Sequence, residues 1–119
     1  MVYSREILQG TECPKELRDN LDKLLIAVNK LREIWGKPML VTSGLRSPEH
    51  NKLIGGAPSS AHLTAEACDF ADPKEALDNY LDAHPEVLEK CGLFREHPSK
   101  TKGWVHLQTR PTKNRTFMP

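Results

Sequence analysis

Residues 59–70 read Ser-Ser-Ala-His62-Leu-Thr-Ala-Glu-Ala-Cys-Asp69-Phe70, with a histidine seven positions ahead of an aspartate. Pro58 and the serines make the front of this stretch a loop. Residues 65–71 (Ala-Glu-Ala-Cys-Asp-Phe-Ala) alternate small or apolar side chains with charged ones, the period of a strand with one buried face. His62 thus sits in a loop that feeds a strand, and Asp69 sits on that strand. A second histidine, His106, falls inside Trp104-Val-His-Leu-Gln108, which also reads as a short strand.

The surrounding chain supplies the rest of a small α+β fold. Leu17, Leu21, Leu24, Leu25, Val28, Leu31 and Ile34 recur at steps of three and four, which predicts one amphipathic helix over 14–36. Pro14 suits its first turn, and Gly36 followed by Pro38 ends it. Residues 38–43 read as a strand, 44–48 as a turn, and Ser47 with Pro48 as the cap and first position of a helical turn. Asp72-Pro73 opens another helix through Leu77, Tyr80 and Leu81. Pro85 breaks it, and a short helix follows to Lys90, closed by Gly92. Residues 93–96 and 104–108 form two strands joined by the seven-residue loop HPSKTKG, expected to pair as a hairpin. The tail from Arg110 to Pro119 is polar, with Phe117 able to tuck it down. The expectation is a small antiparallel sheet with flanking helices, built as one domain over residues 1–119.

Composition narrows the function classes. The chain has 119 residues, 38% hydrophobic and 28% charged, as in an ordinary globular protein. A net charge of +1 gives no footprint for nucleic acid. No apolar run is long enough to span a membrane. The first residues, MVYSREILQG, lack a secretory pattern, so synthesis in the cytoplasm is expected. Cys13, Cys68 and Cys91 are odd in number and far apart, against a disulfide framework or a thiolate metal site. Nothing calls for a second copy, and a monomer is expected.

His62, Asp69 and His106 are the residues that carry chemistry. Two neutral imidazoles and a carboxylate are the donor set of a catalytic zinc, which keeps its fourth position for water. Neighbouring strands bring distant residues within roughly 5 Å of each other, so one coordination sphere is possible. Residue types alone leave a second reading open. A chain with five histidines and sixteen acids offers some such triple by chance. The same donors also describe the ferrous facial triad, although its His-x-Asp spacing is absent and the chain is short for the barrel it needs.

Three stretches decide between these readings: SGLRSPEHN (43–51), GGAPSSAHLTAEACDF (55–70) and GWVHLQT (103–109). In order and spacing they resemble the zinc D-Ala-D-Ala carboxypeptidase family, which includes phage endolysins and other bacterial peptidoglycan peptidases. That family's hallmark is Ser-x-His-x-x-Gly-x-Ala-x-Asp followed later by Trp-x-His. Here it reads Ser60-Ala-His62-Leu-Thr-Ala65-Glu-Ala67-Cys-Asp69, then Trp104-Val-His106. The resemblance spans about residues 40 to 110. It implies a fold shared with the Hedgehog signalling domain, one zinc ion held by His62, Asp69 and His106, and hydrolysis of a peptidoglycan stem peptide. It also implies that Arg46 lies beside the metal, where a guanidinium steadies a developing oxyanion or grips a carboxylate. With no secretory pattern, a phage-encoded enzyme delivered to the wall fits this reading.

Two departures stand out. Ala65 replaces the family's glycine, which strains the chain if the position needs a positive φ. Many members carry an acid three residues before the last histidine as general base, and that position here is Gly103. Glu96, at the end of the strand expected to pair with that of His106, is the candidate replacement, with His97 next in line. Ser60 and Trp104 are candidates to touch substrate, though Ser60 equally reads as a loop cap and Trp104 as core. Gln108 shares a face with His106 and could bond a metal ligand from outside. Glu66 alternates away from Asp69, towards the surface. His50 and His84 have no partner by spacing. The missing acid also leaves room for a metal-binding module without turnover, serving as a wall-binding or structural part.

Overall fold

The computed structural model describes residues 1–119. Helix α1 (Ser4–Leu8) is followed by a 3-10 turn (Lys15–Leu17) and the long helix α2 (Arg18–Trp35). Strand β1 (Val41–Ser43), helix α3 (Pro48–Leu53), a 3-10 turn (Ala61–Thr64) and strand β2 (Ala67–Ala71) come next. Helices α4 (Ala76–Ala83) and α5 (Glu86–Cys91) lead to β3 (Phe94–Glu96), a 3-10 turn (Pro98–Lys100), β4 (Trp104–Gln108) and β5 (Thr116–Phe117). This is the expected mix of a small sheet and flanking helices. No helix is long and apolar enough to cross a membrane.

The five strands lie in the order β1-β2-β4-β3-β5. The expected antiparallel pairing holds for β1 with β2, β2 with β4, and β3 with β4. The last pair differs, because β5 runs parallel to β3, with Arg95 opposite Thr116 and Glu96 opposite Phe117. Residues 109–115 carry the chain past β3 to its outer edge and turn it round. β5 therefore opposes β4 in direction and matches β3.

Strand alternation divides the sheet into two chemically different faces. Cys68, Phe70, Val105 and Leu107 point one way, and all four are wholly buried. They join Leu21, Leu24, Val28 and Leu31 of α2, Leu77 and Leu81 of α4, and Val87 and Leu88 of α5 in one hydrophobic cluster. Cys13, Cys68 and Cys91 are buried free thiols, as their spacing suggested. The other face carries Asp69 opposite His106 and Ala67 opposite Gln108.

Several boundaries move for physical reasons. Pro14 has an extended ψ of 144°, so regular α2 starts after a 3-10 turn rather than at residue 14. Gly36 stops the helix in the left-handed region at φ 77°, as expected. Ser47 caps α3 by accepting from the His50 N–H at 3.1 Å. α4 starts at Ala76, later than Asp72, because the Asp72 carboxylate accepts from the Leu77 and Asp78 N–H groups at 3.0 and 2.9 Å. One acid thus satisfies two free amides at the helix start. α1 is too short to show periodicity, yet Ile7 is fully buried and its carbonyl accepts from Leu45 N–H at 2.8 Å.

On the helix side of β3, Arg95 is buried and pairs with Asp78 at 3.2 Å and Asp82 at 2.7 Å. Burial pushes the Asp78 carboxyl up to about 6 against the pull of Arg95, and the charges of Asp72 and Asp82 add to the rise. A raised carboxyl holds its proton longer in the folded state than in the unfolded one, so its contribution to stability is lost as pH rises. Relative to Asp78→Asn, the wild type is expected to lose stability as pH climbs from 3.8 to about 6, measured by urea unfolding across that window. A flat difference would contradict the assignment.

Candidate metal centre

Each of the three chemical side chains is delivered by a different local device. Asp69 and His106 are cross-strand partners on β2 and β4, so their side chains share one face by register. His62 comes from the 3-10 turn before β2, whose cap is the Ser60 hydroxyl accepting from His62 N–H at 3.2 Å. The turn ends at Ala65, which is fully buried with φ 57° and ψ 31°. That left-handed position is one that glycine occupies freely, so Ala65 bears a strain of roughly 1–2 kcal/mol. Ala65 closes the turn and lets the chain enter β2 with Asp69 facing His62.

Segment 43–46 grips the turn from the other side. The Gly44 carbonyl accepts from His62 Nδ1 at 2.7 Å, and Arg46 N–H donates to the His62 carbonyl at 3.0 Å. Gly44 is required for space. A Cβ there would stand 2.0 Å from the Ile7 carbonyl oxygen of α1. Because a carbonyl only accepts, the Nδ1 proton of His62 is fixed and Nε2 is aimed at Asp69.

His62 Nε2 lies 3.2 Å from Asp69 Oδ1, and His106 Nδ1 lies 2.8 Å from the same oxygen. The candidate ligand atoms of His62, Asp69 and His106 all lie within 4.8 Å of one another, and all three residues are buried. A tetrahedral ion with bonds of about 2.0–2.1 Å needs ligand separations of about 3.4 Å. The donor set of two imidazole nitrogens and one carboxylate oxygen therefore fits a small divalent ion in both chemistry and spacing. The rings also meet edge to face, with centroids 5.2 Å apart.

Burial pushes the Asp69 carboxyl up, but hydrogen bonds and charge from His106 and His62 outweigh it and hold the group below its usual range. Burial likewise disfavours the His106 cation, and the Asp69 bond overcomes that and raises its pKa. His106 Nε2 lies 2.7 Å from Gln108 Oε1, so the ring is held from both ends. A metal ligand must be unprotonated at the atom that binds, so a cation at this site would compete with any proton shared by Nδ1 and Asp69.

The neighbouring residues fall into place around this cluster. Arg46 Nη2 is 3.8 Å from Asp69 Oδ2, while Nε and Nη1 are held by Ser43 Oγ at 3.4 Å and Asn51 Oδ1 at 3.2 Å. Buried Asn51, which the sequence offered only as a turn residue, is tied in turn to the Ala57 carbonyl at 2.9 Å. Glu96 ends β3, whose register of Phe94 with Gln108 and Arg95 with Leu107, continued by one residue, turns Glu96 toward His106. Burial raises the Glu96 carboxyl, His106 counters the rise, and Asp69 adds to it. Trp104 is half-buried opposite Ala71, on the Asp69 face. His97 is exposed and uses Nδ1 on Ser99, 2.8 Å from its hydroxyl. Gly103 sits at φ 84°, in a turn where a glutamate would be strained. Glu66, expected at the surface, is half-buried and paired with Arg110 at 3.1 Å. Phe117 stands edge-on to His106, with ring centroids 6.1 Å apart, so the tail does tuck in.

The model of one protein family, described as Peptidase M15, matches residues 2–108. The chain belongs to the Peptidase M15 family. The match takes in every element from α1 to β4 and all three members of the buried cluster. No curated protein sequence matches the chain. Membership of Peptidase M15 indicates a metallopeptidase, and the His62–Asp69–His106 cluster is able to hold its metal.

The grip of segment 43–46 on His62 has a direct test. Gly44→Ala forces the new methyl against the α1 backbone and shifts the carbonyl that orients His62. Overpacking of this kind costs about 1–3 kcal/mol. The variant is expected to melt lower than the wild type and to gain less thermal stability from added zinc, read by calorimetry with and without the ion. An undiminished zinc response would show that the Gly44 carbonyl does not orient the ligand.

Proposed function

We propose that this chain is a zinc-dependent peptidase that cleaves a peptide bond in the stem peptide of bacterial peptidoglycan, as a carboxypeptidase or an endopeptidase. The observation that carries the reading is the convergence of two imidazoles and one carboxylate, all buried, on one face of the sheet of a Peptidase M15 chain. His62 would bind through Nε2, His106 through Nδ1 and Asp69 through a carboxylate oxygen. Zinc held there supplies a Lewis acid for the scissile carbonyl and an activated water.

The remaining work belongs to side chains of this protein. Arg46, anchored by Ser43 and Asn51, directs its guanidinium to the Asp69 side of the site, where it would stabilise the oxyanion of the cleaved amide. Glu96 takes a proton from the attacking water and passes it to the leaving amine. Burial raises its carboxyl above the ordinary range, the direction that favours a group able both to accept and to return a proton. Trp104 supplies an aromatic wall for the peptide. The Ser60 hydroxyl accepts within the turn, and its own proton is free to meet substrate.

Mass spectrometry of peptidoglycan digested by the zinc-loaded protein tests this reading and identifies the bond. New stem-peptide termini are expected from the wild type. Glu96→Gln is expected to keep its zinc and lose about 10²–10⁴-fold in turnover. Zinc binding with no cleavage by the wild type would favour a module that binds metal without catalysis, which the absence of an acid at Gly103 also fits. Full turnover by Glu96→Gln would remove that residue from the mechanism.

A further inference from the structure

The two histidines reach the cluster from separate parts of the chain, and one residue touches the supports of both. Arg110 lies two positions beyond Gln108, past the last residue of the family match. Its guanidinium clasps the turn that carries His62. Nη2 donates to Thr64 Oγ1 at 2.8 Å and to Glu66 Oε1 at 3.1 Å, Nε reaches Glu66 Oε1 at 3.2 Å, and Nη1 donates to the Ser59 carbonyl. Thr64 Oγ1 in turn donates to Glu66 Oε1, so the three side chains form one knot.

The main chain of the same residue serves the other histidine. The Arg110 carbonyl accepts from Gln108 Nε2 at 2.9 Å. That bond settles which end of the amide faces inward. Gln108 Oε1 then lies 2.7 Å from His106 Nε2, and the ring is turned so that Nδ1 meets Asp69. Thr109 N–H completes the junction by donating to the Glu66 carbonyl at 2.9 Å.

We infer that Arg110 is a positioning residue that clamps both histidines of the cluster at once: its guanidinium holds the His62 turn, and its carbonyl orients Gln108 against His106. The inference rests on the reading that His62, Asp69 and His106 hold a metal. Partners of this outer kind orient ligands and change metal affinity by about 10–100-fold. A fork with several fixed donors is needed here, because Ser59, Thr64 and Glu66 are gripped together.

Two measurements on Arg110→Ala decide it, with Asn29→Ala as control. Asn29 bonds both the N–H and the carbonyl of Val2, at 2.7 and 2.9 Å, so its loss weakens the anchoring of the N-terminus without touching Ser59, Thr64, Glu66 or Gln108. The first measurement is hydrogen exchange in metal-free protein. Amides of Leu63, Glu66 and Thr109 are expected to exchange at least tenfold faster in Arg110→Ala, with α2 unchanged. The second is zinc affinity by competition with a chromophoric chelator, expected to fall at least tenfold in Arg110→Ala and to hold in Asn29→Ala. Gln108→Leu is expected to lose affinity too, and the double variant to lose less than the product of the two single effects, because both act through one junction.

Unchanged exchange, an affinity within twofold of wild type, or fully multiplicative losses would each overturn the inference. The exchange arm reads the clamp even in a chain that binds no zinc, a result that would sink the proposed function alone. Clamp-dependent zinc binding without peptidoglycan cleavage would likewise overturn only the function.

Discussion

Asp69 and His106 stand opposite each other because β2 and β4 pair in a register that also sets Cys68 against Leu107 and Phe70 against Val105. The two sets of pairs are inseparable. A slip of one residue in either strand would send that strand's two wholly buried side chains to the face of the cluster and turn its carboxylate or imidazole into the helix layer. The apolar core beneath the sheet therefore holds the register, and the register makes the cluster. His62 is then added from outside, by a turn whose end, Ala65, is kept in the left-handed region by full burial.

The electrostatics of the cluster follow from that placement. A carboxylate as buried as Asp69 needs compensation, and a buried charge stripped of its partners costs several kcal/mol. Two imidazoles meet it, while Arg46 stands a little further off at 3.8 Å. The outer ends of both rings are occupied as well, one by the Gly44 carbonyl and one by Gln108. Each imidazole is thus aimed before any ion arrives, and little ordering is left for metal binding to do. The opposite face of β3 shows how differently the same charges behave without such aiming. There Arg95 pairs with the buried Asp78 and the exposed Asp82, in an ion-pair network that ties β3 to α4.

Much of this was legible in the order of residues. The stripe from Leu17 to Ile34 marks α2 because burial on one side of a helix imposes a period near 3.6. Ser47 and Pro48 mark the start of α3, and Trp104 to Gln108 matches β4 residue for residue. The motif spacing singled out His62, Asp69 and His106, and the fold brings them together. Other features left no such trace. α1 has five residues, too few for a period to show. β5 has two, and its pairing with β3 depends on a chain reversal that local preference does not encode. Glu66 read as a surface acid because alternation describes only its own strand and says nothing of Arg110, 44 positions away.

The sequence by itself determined the element types, the apolar faces and the donor chemistry, since each is a property of residues within one helix or strand length. Only the tertiary structure decided which atoms of those donors face one another. The roles of the Gly44 carbonyl, the Gln108 amide and the Arg110 guanidinium arise from contacts between segments far apart in the chain. Directional hydrogen bonds of that kind exist only once the core has set the strands in register, and no spacing along the chain records them.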